Sequence, residues 1–452
     1  MALEAAASDR RVVHDRWSLL TRQVAMVAFV VCVLTGAILM FWYDPTSSTV
    51  RYQGSHAPLQ GVEMSGALAS TLDISFDVRG GLLVRQLHHW TASVMIAALM
   101  LHILRIFFTG GFRRPRRLGW VLLFGILFAS MGAGLSGMVL PDDLLSGSSL
   151  AVLDGVLKSV PIVGTWLSGL LFQGRFPSGA LATFYPAHVL VLPLAMIGLG
   201  VVLLRREARQ NPPIAGRNRT ATVARWVGLF GLVSGALTLV AGFVTVNPVW
   251  AFGPADPANA TAGAAAPWYM AFLDGAQRLV PPGLEVVWAG RTWTLALLLP
   301  LGVVGLFLTA AVAYPFVEEW ASGDRGGHRG PTQPRSTPTR TALGAAGVTF
   351  YGVLWAAAGS DFFALIFALS LEDVVLAFQI ALVLGPVSAF VLTRRVCLEL
   401  QLRDRDAVLR GSPTGRMVRL PSGGFIDVHE MPDGSERRGE ERQVGGRHTR
   451  VS

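Results

Sequence analysis

Residues 85–109 read RQLHHWTASVMIAALMLHILRIFFT. From position 89 onward this is an apolar run of about 20 residues, the length a helix needs to cross a bilayer. His102 lies deep inside it, and His88 and His89 stand at its outer end. Working outward, seven further runs of the same kind appear, so the candidate spans are 24–43, 89–109, 119–140, 183–204, 224–246, 294–316, 342–360 and 371–393. The seventh is the shortest and is rich in Gly and Ala. The first is too long for the apolar core of a signal peptide, and no small-x-small cleavage site follows it.

Composition agrees. Hydrophobic residues make up 52% of the 452 and charged residues 15%, against about 25% charged in an average soluble domain. A set of soluble domains is therefore excluded. Cys32 and Cys397 are the two cysteines, which gives neither a disulfide framework nor a zinc site. No Cys-x-x-Cys-His occurs, so no covalently attached c-type haem is expected. The net charge of +9 does not point to nucleic acid, because the arginines sit in alternate loops. Arg10, Arg11, Arg16 and Arg22 precede the first span, Arg113, Arg114, Arg116 and Arg117 follow the second, and Arg205, Arg206 and Arg209 follow the fourth. The intervening loops carry acids such as Asp142, Asp143 and Asp274. The positive-inside rule then places both termini, and the loop 205–223, in the cytoplasm of a cell-membrane protein, with 267–269 outside. The segment 150–172 reads as short helices lying on the outer surface, and the end of the polar tail, 434–452, as disordered.

Five of the nine histidines, His14, His56, His328, His429 and His448, fall outside the spans and read as solvated loop residues. The others carry the argument, because an ionisable side chain inside a membrane is a functional candidate by default. His88 and His102 are 14 residues apart. At about 100° and 1.5 Å per residue they lie within about 40° of one helix face and about 21 Å apart along it. His188 opens the fourth span much as His88 opens the second, and these two spans run in the same direction. Two imidazoles on facing helices suit a low-spin b-type haem. Arg85 lies three residues before His88 and Arg105 three after His102, each one turn toward the nearer surface, where a propionate would lie.

The stretches SFDVRGGLLVRQLHHW (75–90), LHILRIFFTGGFRRPR (101–116), VLPDDLLSG (139–147), VNPVWAFGP (246–254) and WYMAFLDGAQRL (268–279) carry a resemblance. With the region DRDAVLRG (404–411) they make the chain similar, over about residues 15–430, to the cytochrome b subunit of the respiratory cytochrome bc complex (quinol–cytochrome c reductase) in its actinobacterial form. The resemblance implies an all-α polytopic membrane protein with eight transmembrane helices, the first four forming a haem-binding bundle. It divides the chain into a cytoplasmic N-terminus (1–23), the bundle (24–223), a C-terminal region with the outer quinol-site loop (224–402) and a polar cytoplasmic tail (403–452). It implies haem b as cofactor, menaquinol as substrate, and as partners membrane lipid, an iron–sulfur subunit, a cytochrome c subunit and a second copy in a homodimer. It places the outer haem between His88 and His188, with Arg85 at a propionate and with Gly36 and Gly137 letting the porphyrin edges approach the backbone.

The chain departs from this pattern in two places. At the inner haem, His102 and Arg105 are present, but the partner positions 14 and 15 residues after His188 are Val202 and Leu203, and neither ligates iron. Arg22 and Leu123 stand 14 residues before Gly36 and Gly137, where the resemblance implies further glycines. A side chain there crowds a macrocycle. At the outer quinol site the resemblance implies a Pro-acid-Trp-Tyr segment whose carboxylate takes the quinol proton. This chain reads Ala266-Pro267-Trp268-Tyr269, with Pro267 in the acid's place. The leading expectation is a b-haem subunit transferring electrons from quinol. The alternatives are a diverged single-haem paralogue with impaired quinol oxidation and a non-redox assembly scaffold. A transporter stands last, since no inverted repeat is visible.

Overall fold

The computed structural model describes residues 2–210, 219–256, 266–281, 283–328, 330–419, 421, 425–431 and 436–438. The centre of the basic loop expected in the cytoplasm, 211–218, lies outside the described residues, as does 439–452 of the tail expected to be disordered.

The chain is mostly helical. In order it forms α1 (Ala2–Leu39), α2 (Gly66–Phe76), α3 (Gly81–Phe108), α4 (Arg117–Val139), α5 (Leu144–Ser159), α6 (Gly164–Leu171), α7 (Ala180–Pro186), α8 (Leu192–Gln210), α9 (Arg219–Phe243), α10 (Ala271–Arg278), α11 (Leu295–Ser322), α12 (Pro338–Ala357), α13 (Ser360–Phe367) and α14 (Leu371–Arg410). Three small antiparallel sheets join them: β1 (Thr49–Arg51) with β2 (Glu63–Ser65), β3 (Glu285–Trp288) with β4 (Arg291–Thr294), and β5 (Ser412–Arg419) with β6 (Phe425–Glu430) and β7 (Glu436–Arg438).

Seven helical stretches among the described residues are long and apolar enough to cross a membrane: Leu20–Leu39, Gly81–Phe108, Arg117–Val139, Ala180–Gln210, Thr220–Phe243, Leu295–Ser322 and Leu371–Asp406. The protein is therefore a multi-pass membrane protein. The seventh expected span behaves differently. Pro338–Ala357 and Ser360–Phe367 pass as one span only when joined, and they meet at a bend of 68°. Gly359 breaks the helix, and the buried Ser360 donates its hydroxyl back to the Ala357 carbonyl at 2.6 Å, closing the last turn.

The second span begins at Gly81, eight residues before the apolar run suggested, so His88 sits two turns inside a helix. The fourth is α7, a wider π-type turn at Ala187–Val191, and α8, run together as Ala180–Gln210. The segment 150–172 folds as expected into short helices, α5 and α6, with Ile162, Trp166 and Leu170 exposed. The polar tail carries regular structure as far as Arg438, which includes 436–438 of the stretch expected to be disordered. Helix α14 runs to Arg410 and is followed by the three-stranded sheet, in which Ile426 and Val428 alternate with polar neighbours and are both buried.

Helix α1 packs on α3, α4 on α8, and α12 on α14 and α10. The first two pairs share one apolar core, which holds Ala25, Ala28, Leu99, Ile103, Leu123 and Leu203. Trp120 donates to the Ala311 carbonyl at 3.0 Å and so ties α4 to α11. At the end away from His88, Arg114 and Arg117 pair with Glu319, and Arg340 with Glu318, each at 2.6 Å.

Candidate functional site

At the His88 end of the bundle, α1, α3, α4 and α7–α8 surround a cavity of about 290 Å³ lined by Gly36, Arg85, His88, Gly137, His188 and Tyr269. His88 and His188 face each other across it, with ring centres 6.0 Å apart and planes crossing at 71°. Each Nδ1 is engaged by the neighbouring helix. His88 Nδ1 lies 3.0 Å from the Cys32 carbonyl and His188 Nδ1 2.8 Å from the Ala133 carbonyl. A carbonyl only accepts, so both Nδ1 atoms carry the proton and both Nε2 lone pairs are left bare. A π-type turn at His188 re-aims one residue within an otherwise regular span, a feature that recurs at functional sites.

Bare Nε2 atoms at this separation suit one metal ion. An iron between two imidazoles needs ring centres roughly 6 Å apart, about 2 Å for each metal–nitrogen bond and about 1 Å from nitrogen to ring centre. No group of three or more His, Cys, Asp or Glu side chains that could hold a metal occurs among the described residues. A metal here would have two protein ligands, and a macrocycle would have to supply the rest.

One further observation fits a porphyrin, and one departs from the expected role of two glycines. Arg85 donates through Nη2 to the Asn247 carbonyl at 2.7 Å and stacks over Trp250, with its guanidinium carbon 6.0 Å from the ring centre. Its Nη1 is buried with no hydrogen-bond partner among the described residues, a cost that a carboxylate ligand would remove. Gly36 and Gly137 flank the histidines rather than an empty slot. A Cβ added at Gly36 would lie 2.9 Å from His88 Cε1, and one at Gly137 2.5 Å from His188 Cε1.

The inner level differs. His102 is buried, with Nδ1 3.2 Å from the Thr21 hydroxyl. Of the two candidate partner positions, Val202 is 43% exposed and points away, while Leu203 is buried in the core with Leu123. Arg22 turns to Glu207 on α8 and pairs with it at 2.5 Å. Sequence reading missed Glu207. Its one signal is an acid within the otherwise basic run Arg205–Arg209.

In the loop before α10, Tyr269 is buried and Trp268 half-exposed, their rings 5.6 Å apart. Tyr269 reaches over Gly134, where a Cβ would collide with its hydroxyl and ring, so this glycine admits the phenol to the cavity. Burial pushes the Tyr269 phenol well above its usual pKa. Pro267 contributes only its carbonyl, which accepts from the Met270 amide at 2.7 Å. Asp274 lies on α10 and is held by Arg278 at 3.1 Å, and Arg278 also reaches Asp361 at 3.3 Å. Burial raises the Asp274 pKa and Arg278 counters it. Asp143 is fully buried and caps α5. Its Oδ1 accepts from the Ser146 amide at 3.2 Å and from the Ser146 hydroxyl, and burial raises its pKa.

Replacing Gly134 with Ala is expected to displace Tyr269 from the cavity wall, because the new Cβ would overlap the phenol ring. Tyrosine fluorescence or ultraviolet difference spectra would read this as increased Tyr269 exposure, and an unchanged spectrum would refute it.

Residues 93–254 match the family described as cytochrome b(N-terminal)/b6/petB. The chain is 43% identical over 439 residues to the cytochrome bc1 complex cytochrome b subunit of Streptomyces coelicolor, covering 94% of this chain and 80% of that protein. It is 38% identical over 447 residues to the subunit of the same name in Corynebacterium diphtheriae, with 94% and 82% covered. For Mycobacterium tuberculosis the values are 40% over 437 residues, with 93% and 79% covered. Among solved structures, a chain of a hyperthermophilic respiratory Complex III superposes with a TM-score of 0.60 at 17% identity, covering 83% of this chain and 91% of that one. That last likeness speaks for the fold alone.

Proposed function

The chain belongs to the cytochrome b subunits of the cytochrome bc1 complex, and from that premise we propose that it binds a b-type haem between His88 and His188 and takes electrons from a quinol. The observation that carries this is the facing pair of imidazoles, 6.0 Å apart with both Nδ1 atoms tied to backbone carbonyls. In this reading His88 and His188 would hold the haem, Arg85 Nη1 would bind a propionate, and the haem would supply a one-electron site. Arg105, at the inner end of α3, keeps the corresponding place beside His102. Tyr269 and Trp268 form the wall that a quinol headgroup would meet. Menaquinol is the substrate expected for this actinobacterial type, and the partners are an iron–sulfur subunit, a cytochrome c subunit, surrounding lipid and a second copy of the chain. A reduced-minus-oxidised spectrum with a haem-to-protein ratio tests the reading. Absence of a b-haem band in the purified chain would overturn it.

A specific observation favours a single-haem form of this function. Leu203 and Leu123 are both buried in the apolar core beside Leu99 and Ile103, which flank His102 in sequence. Pro267 points the same way for the quinol site, since it offers neither a proton acceptor nor an N–H. General-base assistance is worth roughly 10²–10⁴-fold in rate. The chain placed in a cytochrome bc complex is therefore expected to oxidise quinol slowly. Pro267→Asp should raise the initial rate by about 10²-fold if the rest of the wall is sound. A normal rate with Pro267 in place would refute the idea.

The alternation of arginine-rich loops supports cytoplasmic termini in a cell membrane. A reporter fused near residue 215 is expected to score as cytoplasmic and one near 268 as external. The reverse pattern would overturn this topology.

A further inference from the structure

The two imidazoles are cradled in the same way by two different helices. On α1, the Cys32 carbonyl lies 3.0 Å and the Thr35 hydroxyl 3.1 Å from His88 Nδ1, with Gly36 against the ring. The Cys32 sulfur also sits 3.7 Å from that nitrogen. On α4, the Ala133 carbonyl lies 2.8 Å and the Ser136 hydroxyl 3.3 Å from His188 Nδ1, with Gly137 against the ring. Both helices therefore present a carbonyl at i, a hydroxyl at i+3 and a glycine at i+4, which helical geometry gathers on one face.

The hydroxyl protons are already used. Thr35 donates to the Val31 carbonyl at 2.8 Å, and Ser136 donates to the Gly132 carbonyl at 2.9 Å. Each oxygen can then only accept from the imidazole. Carbonyl and hydroxyl together demand a proton on Nδ1, and so each ring must offer Nε2 as a lone pair. The glycine lets the ring lie against the helix, since a Cβ there would come within 2.9 Å or 2.5 Å of it.

The inner level shows which parts follow a histidine. Thr21, 14 residues before Thr35, keeps its hydroxyl 3.2 Å from His102 Nδ1, while Arg22 replaces the glycine. On α4 the positions 14 before Ser136 and Gly137 are Leu122 and Leu123, and the facing position on α8 holds Leu203. The hydroxyl is kept where a histidine remains and is absent where none does.

We propose that Thr35 and Ser136 are positioning residues that fix the tautomer, orientation and basicity of His88 and His188, and through them the reduction potential of the group the two rings hold. The inference rests on the reading that His88 and His188 ligate a haem iron. A hydrogen bond accepted from Nδ1–H makes Nε2 a stronger donor and favours the ferric state. Losing one hydroxyl while the carbonyl remains weakens that donation, so the potential rises.

Redox titration of the haem-loaded membrane protein separates the two levels of inference. If the unmodified chain lacks the spectrum of a six-coordinate bis-histidine haem, the haem reading itself fails. With that spectrum present, Thr35→Val and Ser136→Ala should each retain haem. Each should raise the midpoint potential by the equivalent of a threefold to tenfold change in the oxidised-to-reduced ratio, up to about 59 mV for one electron. Thr35→Ser should restore the starting value. Gly137→Ala should lose the six-coordinate signature. Unmoved potentials in both hydroxyl variants would overturn the proposal, as would a Thr35→Ser shift as large as that of Thr35→Val. Should Thr35→Val fail to accumulate in membranes, Ser136→Ala on the facing helix decides the same question.

Discussion

His88→Ala is expected to abolish the b-haem absorbance of the purified protein, and His188→Ala to do the same. The two rings face each other across one cavity, 6.0 Å apart. Removing either would leave one imidazole to hold the group. It also removes the hydrogen bond that the ring gives to the Cys32 or Ala133 carbonyl. The haem-to-protein ratio measures the outcome. A b-haem spectrum of normal amplitude in either variant would move the ligation elsewhere in the molecule. His102→Ala separates the levels: it should leave the haem ratio unchanged, because His102 bonds Thr21 and has no facing imidazole.

The second large effect concerns stoichiometry. One haem per chain is expected, and Leu203→His combined with Arg22→Gly and Leu123→Gly should raise the ratio toward two. Leu203 rather than Val202 is the position to change, because Leu203 is 7% exposed and faces the core while Val202 is 43% exposed. Truncating a buried leucine costs about 2–5 kcal/mol, and a glycine inside a helix about 1 kcal/mol more. Arg22→Gly also frees Glu207 from its ion pair. The empty triple variant should therefore be markedly less stable than the parent, and added haem should recover much of that loss by filling the slot. Two b haems in equal amounts in the unmodified chain would count decisively against the single-haem reading. So would a triple variant that stays at one haem although folded.

The inner level also bears on the reaction. If His102 holds no haem, the second electron from a quinol has no route through the bundle to the other face. A complete proton-motive cycle would then fail, whatever the rate at the outer loop. Pro267 and the inner packing would limit the same function independently, so restoring the acid alone should accelerate the first electron without restoring the cycle.

How much of this was legible in the sequence follows from the range of the interactions. A membrane helix satisfies its backbone hydrogen bonds locally, so its presence is written in a local run of apolar residues. Seven spans were found in this way, with ends wrong by up to about thirteen residues, because helices continue past the apolar run, as at Gly81–Leu87 and from 394 to Asp406. The pairing of His88 with His188 was also legible, since depth follows from counting residues along parallel helices.

The rest depended on which helix lies against which. The sequence left Val202 and Leu203 equivalent as partner positions. The π-type turn at Ala187–Val191 adds about one residue to the count and brings Leu203 to the face that a regular helix would give to Val202. The contact of Arg22 with Glu207 spans 185 residues, that of Thr35 with His88 53, and that of Ser136 with His188 52. The break between α12 and α13 likewise arises where Ser360 is buried against neighbouring helices. Helical periodicity says which face of a helix is apolar and at what depth a residue sits. It carries no information about the rotation of one helix against another, and that rotation decides which hydroxyl, glycine or acid meets each histidine and arginine.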